Sequence, residues 1–351
     1  MRRVADLLFR WDRTSEKFDI SVQMCYNAFM TCYDTVFYDG YGTVRDVSRG
    51  RKILMELTRK QFDILSIMAT AKGKMSQRRL EELSGHSLGT VNRVTKELIS
   101  LGYIRDGVIC DSGYDALEPY RAKRAIFVAA GFGSRMVPVT LNTPKPLIRV
   151  NGKRIIDTLI DACLENGISE IYIVRGYLAE QFDQLLYKYP MIKFLENPSY
   201  NEANNIGSVM VARYMLQNAY VFESDLIISN PSVIKKYHYN SDVLGIWKER
   251  TDDWCLDVDK DGFVTDERVG GFNTYQMVGI YYFNAADGAK LSEHIKEAYL
   301  APGGKERYWE TVPNLVYKGQ YKIEVRPCLD SDIVEIDTFR ELKSIDKAYD
   351  V

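Results

Sequence analysis

Three observations predict an α/β chain with a mostly parallel, doubly wound sheet behind a small helical domain that carries a β-wing. From Arg124 onward, continuous apolar segments alternate with amphipathic ones, the rhythm of strands covered by helices on both faces. Ahead of that, residues 56–121 show a helical period broken by capping residues and then by an Asp-Gly turn. The length, 351 residues, exceeds one ordinary domain, so two or three are expected.

Residues 1–55 read as a partly helical arm rich in aromatics, with Phe29, Tyr33, Phe37, Tyr38 and Tyr41. Such an arm suits packing on the rest of the chain or on a second subunit, so a homodimer is one expectation. In residues 56–121, Phe62, Leu65, Ile67 and Met68 mark one amphipathic helix. Ser76 caps a short helix through Leu80 and Leu83, which Gly85 ends. Ser87 opens another, with Val91, Val94, Leu98 and Leu101 on one face, and Gly102 stops it. Tyr103 to Ile109 reads as a hairpin turning at Asp106-Gly107, and a short helix over 112–120 follows. This order is that of a winged helix-turn-helix, and the segment resembles a regulator family whose third helix enters the DNA major groove. Thr90, Asn92, Arg93 and Lys96, preceded by Lys74, Arg78 and Arg79, could meet phosphates, while Glu81, Glu82 and Glu97 dilute their charge. The residues leave DNA binding and a non-DNA role equally open.

The third segment, 122–351, begins with Arg124-Ala-Ile-Phe-Val128, a buried parallel strand by its unbroken apolar run. Ile155 to Asn166 is expected to be helical with Gly167 as its stop. Ile171–Val174 should be a strand, Ala179–Tyr189 a helix, and Tyr220–Glu223 and Val243–Trp247 further strands.

Composition narrows the function. Hydrophobic residues are 46% and charged residues 27%, ordinary for a globular protein. A formal net charge of −2 argues for neither nucleic acid nor membrane in bulk. No apolar run nears the ~20 residues that span a bilayer. The six cysteines are scattered without a CxxC pair, which suits a reducing, cytoplasmic setting. His86, His238 and His294 stand alone, so zinc and Ser-His-Asp chemistry are not expected.

The chemistry is concentrated after the first strand. Ala129-Ala130-Gly131-Phe132-Gly133-Ser134-Arg135 offers small residues whose backbone N–H groups can approach phosphate oxygens, and Arg135 adds a charged fork. Alone, a glycine pair after a strand signals only a tight turn. Here Thr143-Pro144-Lys145-Pro146-Leu147 follows, and then Val150-Asn151-Gly152-Lys153-Arg154-Ile155. The flanking prolines stiffen the loop that carries Lys145, a compact point charge suited to phosphate. No Gly-x-Gly-x-x-Gly is present, so the dinucleotide fingerprint is absent.

This combination resembles the nucleotidyltransferases, and within them the bacterial CTP:phosphocholine cytidylyltransferases. The likeness covers the chain after about Arg124. Ile173-Val174-Arg175-Gly176-Tyr177 resembles the family's strand-turn-helix, except that Arg175 stands where the strand usually runs straight into Gly-Tyr. Asn204-Asn205 with Ser208 resembles its nucleotide-side segment. Asp252-Asp253-Trp254 and Arg307-Tyr308-Trp309-Glu310 resemble its alcohol-side segments, and Ile333-Val334-Glu335-Ile336-Asp337 its metal-binding strand.

The resemblance implies a Rossmann-like nucleotidyltransferase domain and Mg²⁺-dependent transfer of CMP from CTP to phosphocholine. It assigns Lys145 and Arg135 to catalysis, and Ala129, Ala130, Gly131, Gly133, Gly176, Tyr177, Asn205 and Ser208 to the nucleotide. It assigns Asp225 and Asp337 to the metal. A quaternary ammonium has no N–H to donate and is best held by ring faces and a carboxylate. Trp254, Tyr308 and Trp309 are the expected rings and Glu310 the expected carboxylate. Phosphoethanolamine, 2-aminoethylphosphonate and a sugar 1-phosphate are alternative acceptors, and a nucleotide-sensing transcription regulator is an alternative role.

Overall fold

The computed structural model describes residues 36–38, 44–46, 51–53 and 56–350, save 72. Strands β1 (Val36–Tyr38), β2 (Val44–Asp46) and β3 (Arg51–Ile53) form an antiparallel sheet in that order. The expected helical arm is corrected over these stretches, where β-branched and aromatic residues favour a pleated surface. The remainder of that expectation lies outside the described residues.

The winged helix forms as its capping residues dictate. Helix α1 (Arg59–Thr70) opens with a capping box between Thr58 and Gln61. Ser76 caps α2 (Gln77–Ser84), which ends on left-handed Gly85, and Ser87 caps α3 (Leu88–Ser100). The wing pairs β4 (Ile104–Arg105) with β5 (Val108–Ile109) across Asp106 and Gly107, both at positive φ as a two-residue hairpin requires. The short α4 (Asp111–Leu117) closes the unit. Its core gathers Ile64, Leu65, Leu80, Val91, Val94, Leu98 and Leu117. Among the basic residues expected to meet phosphate, Arg79 pairs with Glu82 and Arg93 with Glu97, which removes part of the charge DNA would use.

A packed junction joins this unit to the larger one. Tyr120 stacks on Tyr239 at 5.7 Å, and Phe62 leans on both rings. The Leu57 N–H donates to Tyr120 Oη, and Tyr239 Oη donates to the Leu57 carbonyl. Arg59 forks onto Glu324 at 2.8 and 3.1 Å.

The larger unit carries a small hairpin, β7 (Arg149–Val150) with β8 (Lys153–Arg154), and a seven-stranded sheet in the order β10 (Lys193–Glu196), β9 (Glu170–Arg175), β6 (Arg124–Val128), β11 (Ala219–Glu223), β14 (Val264–Phe283), β13 (Ser241–Val258) and β15 (Ile323–Cys328). Antiparallel β14 separates two parallel groups. Alternate residues of the inner strands serve opposite layers, as a period of two requires. Phe127, Ile173 and Phe222 face the helix α5 (Ile155–Glu165), while Ile126, Val174 and Val221 face α6 (Ile206–Ala212) and α7 (Ala285–Leu300). Arg175 leaves the register intact, since β9 pairs regularly with β10 up to Arg175 opposite Glu196. The helix expected over Ala179–Tyr189 is a 3₁₀ run at Ala179–Tyr187. Among the described residues, no helix is long and apolar enough to cross a membrane.

Candidate active site

The parallel pairing of β6 and β11 sets Val128 beside Glu223, so the loops leaving both strands open on the same end of the sheet. That is the edge at which doubly wound folds bind ligands. A cavity of about 370 Å³ lies there, lined by Ala129 to Arg135, Lys145, Asn205, Ser208, Glu223, Asp225, Tyr308 and Asp337.

Gly133 makes the first loop turn. It sits at φ +62, and a Cβ there would lie 3.0 Å from Thr140 and 3.1 Å from the Lys145 side chain. Gly131 faces open space, with nothing within 4 Å of where a Cβ would project. The loop is pinned behind by Ala129 N–H to the Val174 carbonyl and by Tyr177 N–H to the Ala130 carbonyl.

A second pairing completes the charged centre. Strand β16 (Ile333–Glu335) runs antiparallel to β12 (Leu226–Ile228), with Glu335 opposite Leu226. This brings Asp337 to Asp225, 112 positions earlier in the sequence by subtraction of their numbers. Lys145 Nζ donates to Asp225 at 2.8 Å and to Asp337 at 3.1 Å, and Arg135 donates to the other Asp337 oxygen at 2.8 Å. Burial alone would lower the Lys145 ammonium, but Asp225 and then Asp337 hold it above its ordinary value. The carboxylates of Asp225, Glu335 and Asp337 lie within 4.8 Å of one another. Desolvation, then the like charges of Asp225, Asp337 and Asp253, pushes Glu335 up to about 9. Solvent still reaches this residue, so charge crowding is the part that a cation would relieve.

Asn205 and Glu223 form the floor of the cavity, and a second acidic arrangement runs from them into the buried interior. Asn205 Nδ2 donates to Glu223 at 3.1 Å and to Glu310 at 3.2 Å, while its Oδ1 accepts from the Trp309 N–H. Trp309 Nε1 donates to Glu223 at 3.1 Å. Burial pushes Glu310 up to about 7, and burial with the charges of Glu310 and Asp225 raises Glu223 well above the carboxylate range. Two such carboxyls cannot both ionise without a cation beside them.

The structure gathers Lys145, Arg135, Asp225, Asp337, Ala129, Ala130, Gly131, Gly133, Asn205 and Ser208 around one cavity. It corrects the expected aromatic cage. Trp309 is fully buried, edge-on to Tyr281 and Phe283, and so has no ring face free for a ligand. Glu310 is buried as well, behind Asn205. Trp254 and Tyr308 do meet, at 5.7 Å and 62°, and Tyr308 lines the cavity. Gly176 and Tyr177 stand behind the wall rather than in it. A Cβ on Gly176 would lie 2.6 Å from Tyr200, and Tyr177 leans on Phe132 at 5.1 Å; Tyr200 and Phe132 themselves line the cavity. Asn205, expected beside the nucleotide, is engaged with the acidic floor.

Glu335 and Glu223 escaped the sequence reading. Each closes the strand, β11 or β16, that leads to an aspartate two residues on, so the signal was there.

Comparison with known proteins agrees with this geometry. A family profile described as Nucleotidyl transferase matches residues 124–247, and one described as MarR family matches residues 56–108. The chain is 37% identical to a 2-aminoethylphosphonate cytidylyltransferase of Lancefieldella rimae, over 64% of this chain and 92% of the relative. It is 30% identical to a choline-phosphate cytidylyltransferase of Streptococcus pneumoniae, over 64% of this chain and 97% of that protein. A solved structure of CTP:phosphocholine cytidylyltransferase from Streptococcus pneumoniae superposes with a TM-score of 0.59 at 29% identity, covering 65% of this chain and 99% of the other. The chain belongs to the cytidylyltransferases of the nucleotidyl transferase family, with a MarR-family winged helix ahead of the catalytic fold.

Proposed function

We propose that this protein transfers CMP from CTP to a small acceptor bearing a phosphonate or phosphate at one end and a primary ammonium at the other, 2-aminoethylphosphonate being the best fit. The observation that carries the choice is Glu223, a carboxyl that lines the cavity and is tied through Asn205 to buried Glu310 behind it. A primary ammonium brings three N–H donors to such a floor, whereas a trimethylammonium brings none. The relative at 37% identity is named for 2-aminoethylphosphonate, which supports the same reading. Phosphocholine is the second reading. Trp254 against Tyr308 favours it, as does the name of the relative at 30% identity. With Trp309 buried, however, two of the three expected rings remain for a cage.

In the proposed reaction an acceptor oxygen attacks the α-phosphorus and pyrophosphate leaves in line. Lys145 and Arg135 neutralise phosphate oxygens, and the loop through Gly133 brings backbone N–H groups close to them. Asp225, Glu335 and Asp337 fit a Mg²⁺ ion, because a hard cation takes oxygen ligands and three converge here. Bound there, it would polarise phosphoryl oxygens and draw charge from the leaving group. The remaining work of this chain is alignment, with Glu223 at the cavity floor holding the amine so that the acceptor oxygen is oriented.

The test is pyrophosphate release from CTP and Mg²⁺ with each acceptor in turn. We expect kcat/KM to rank 2-aminoethylphosphonate first, phosphoethanolamine next and phosphocholine at least about tenfold lower than the best, a difference of about 1.4 kcal/mol. Preference for phosphocholine would overturn the acceptor assignment. No release with any acceptor would overturn the transfer itself.

A further inference from the structure

The centre already contains cations of its own. Lys145 is 8% exposed and bridges Asp225 and Asp337, and Arg135 occupies the second oxygen of Asp337. Three carboxyls carry at most three negative charges, and two positive charges sit in contact with them. A divalent ion entering the nucleotide-free protein therefore meets a nearly balanced site. It must also displace the Lys145 hydrogen bonds at 2.8 and 3.1 Å, which are partly shielded from water, and the exposed Arg135 contact at 2.8 Å. A nucleotide triphosphate changes this balance. Its oxygens offer Lys145 and Arg135 new acceptors, which frees the carboxylates as the negative charge that a metal needs arrives.

From this arrangement we infer that Lys145, assisted by Arg135, is an internal counter-cation that keeps Asp225 and Asp337 from holding a divalent ion until a nucleotide releases it. The inference rests on the metal reading of Asp225, Glu335 and Asp337. The phosphate-binding lysine is then antagonistic to the metal in the free protein and cooperative with it in the loaded one.

The experiment is Mn²⁺ binding to the full chain without nucleotide, followed by titration calorimetry and by the paramagnetic signal of free Mn²⁺. Lys145→Met keeps the length of the side chain and removes its charge. We expect it to tighten Mn²⁺ at least about fivefold relative to wild type, since a like charge in contact is removed. Arg135→Met, at a more exposed position, should give a smaller gain in the same direction. Equal or weaker Mn²⁺ binding by both variants would overturn the inference. Lys145→Met leaves Asp225 without its cation and Asp337 with Arg135 alone, which should lower the stability of the metal-free protein. Its melting temperature should then rise with Mn²⁺ by more than that of wild type, and failure to do so counts against the inference. Asp225→Asn in the Lys145→Met background separates the two readings. Loss of Mn²⁺ binding there upholds the carboxylate site whatever Lys145 does, whereas unchanged binding would remove the metal reading itself.

Discussion

At the residue scale, charge decides. Asp225 touches Lys145 and stands with Glu335 and Asp337, so its carboxylate is the one that both the internal ammonium and a divalent ion would use. Asp225→Asn keeps the shape and loses the charge. It should lower kcat by about 10²-fold or more, the size found when one preorganised electrostatic group is removed. The melting temperature should hold, because Asp337 remains to pair with Lys145. Near-normal turnover would exclude Asp225 from the chemistry. Glu310 makes a sharper test of the acceptor. Glu310→Gln keeps the volume and a hydrogen-bond partner for Asn205 but removes the carboxylate that backs Glu223 from behind Asn205. We expect kcat/KM for 2-aminoethylphosphonate to fall about tenfold or more, worth about 1.4 kcal/mol, with little change in KM for CTP. Equal losses for amine and trimethylammonium acceptors would mean that Glu310 only supports the fold.

At the element scale, the loop after β6 joins backbone conformation to chemistry. Gly133 lies at φ +62 against Thr140 and Lys145. An alanine there meets left-handed strain of about 1 kcal/mol, and its methyl presses on the side chain that must hold the phosphate. Gly133→Ala should therefore reduce kcat by roughly 10–100-fold, as small misplacements of catalytic groups do, while unfolding shifts only modestly. Circular dichroism melts beside turnover would check it, and unchanged kcat would mean that Lys145 tolerates the displacement. Elements of this kind were legible in the sequence because their signals are local. Ser76, Ser87, Gly85 and Asp106-Gly107 fix caps and turns through their own backbone preferences. The apolar run of β6 likewise announces a buried strand. What was not legible depends on distant pairings. Trp309 looked like a ligand-facing ring beside Tyr308, but whether a ring faces a cavity or Tyr281 depends on a strand packed from elsewhere in the chain. The acidic floor needs Asn205, Glu223 and Glu310 together, and no local pattern joins them.

At the scale of the whole molecule, the question is how far the winged helix and the catalytic fold depend on each other. The break near Tyr120 reads in sequence as a clean boundary, from which a fragment beginning near Glu118 is expected to fold and work. The junction gives that expectation a cost. Tyr239 stacks on Tyr120 and Phe62, and its hydroxyl is held by Leu57; Glu324, on the outer strand β15, holds Arg59. Removing residues 1–117 uncovers Tyr239 on two sides and leaves Tyr120 without Phe62. Losing the packing around one large aromatic typically costs about 3 kcal/mol, whereas the Arg59–Glu324 fork, being partly exposed, adds at most about 1 kcal/mol. None of the residues lining the catalytic cavity belongs to the deleted part. The fragment should therefore melt several degrees lower, about 2–4 °C per kcal/mol for a domain of this size, yet keep kcat/KM within about threefold of the full chain at low temperature. In the full chain, Phe62→Ala should reproduce most of that loss of stability without touching activity. An unchanged melting temperature in both would show that the stacked rings contribute no net stability. A fragment that folds but fails to turn over would show that the winged helix acts on the catalytic centre itself.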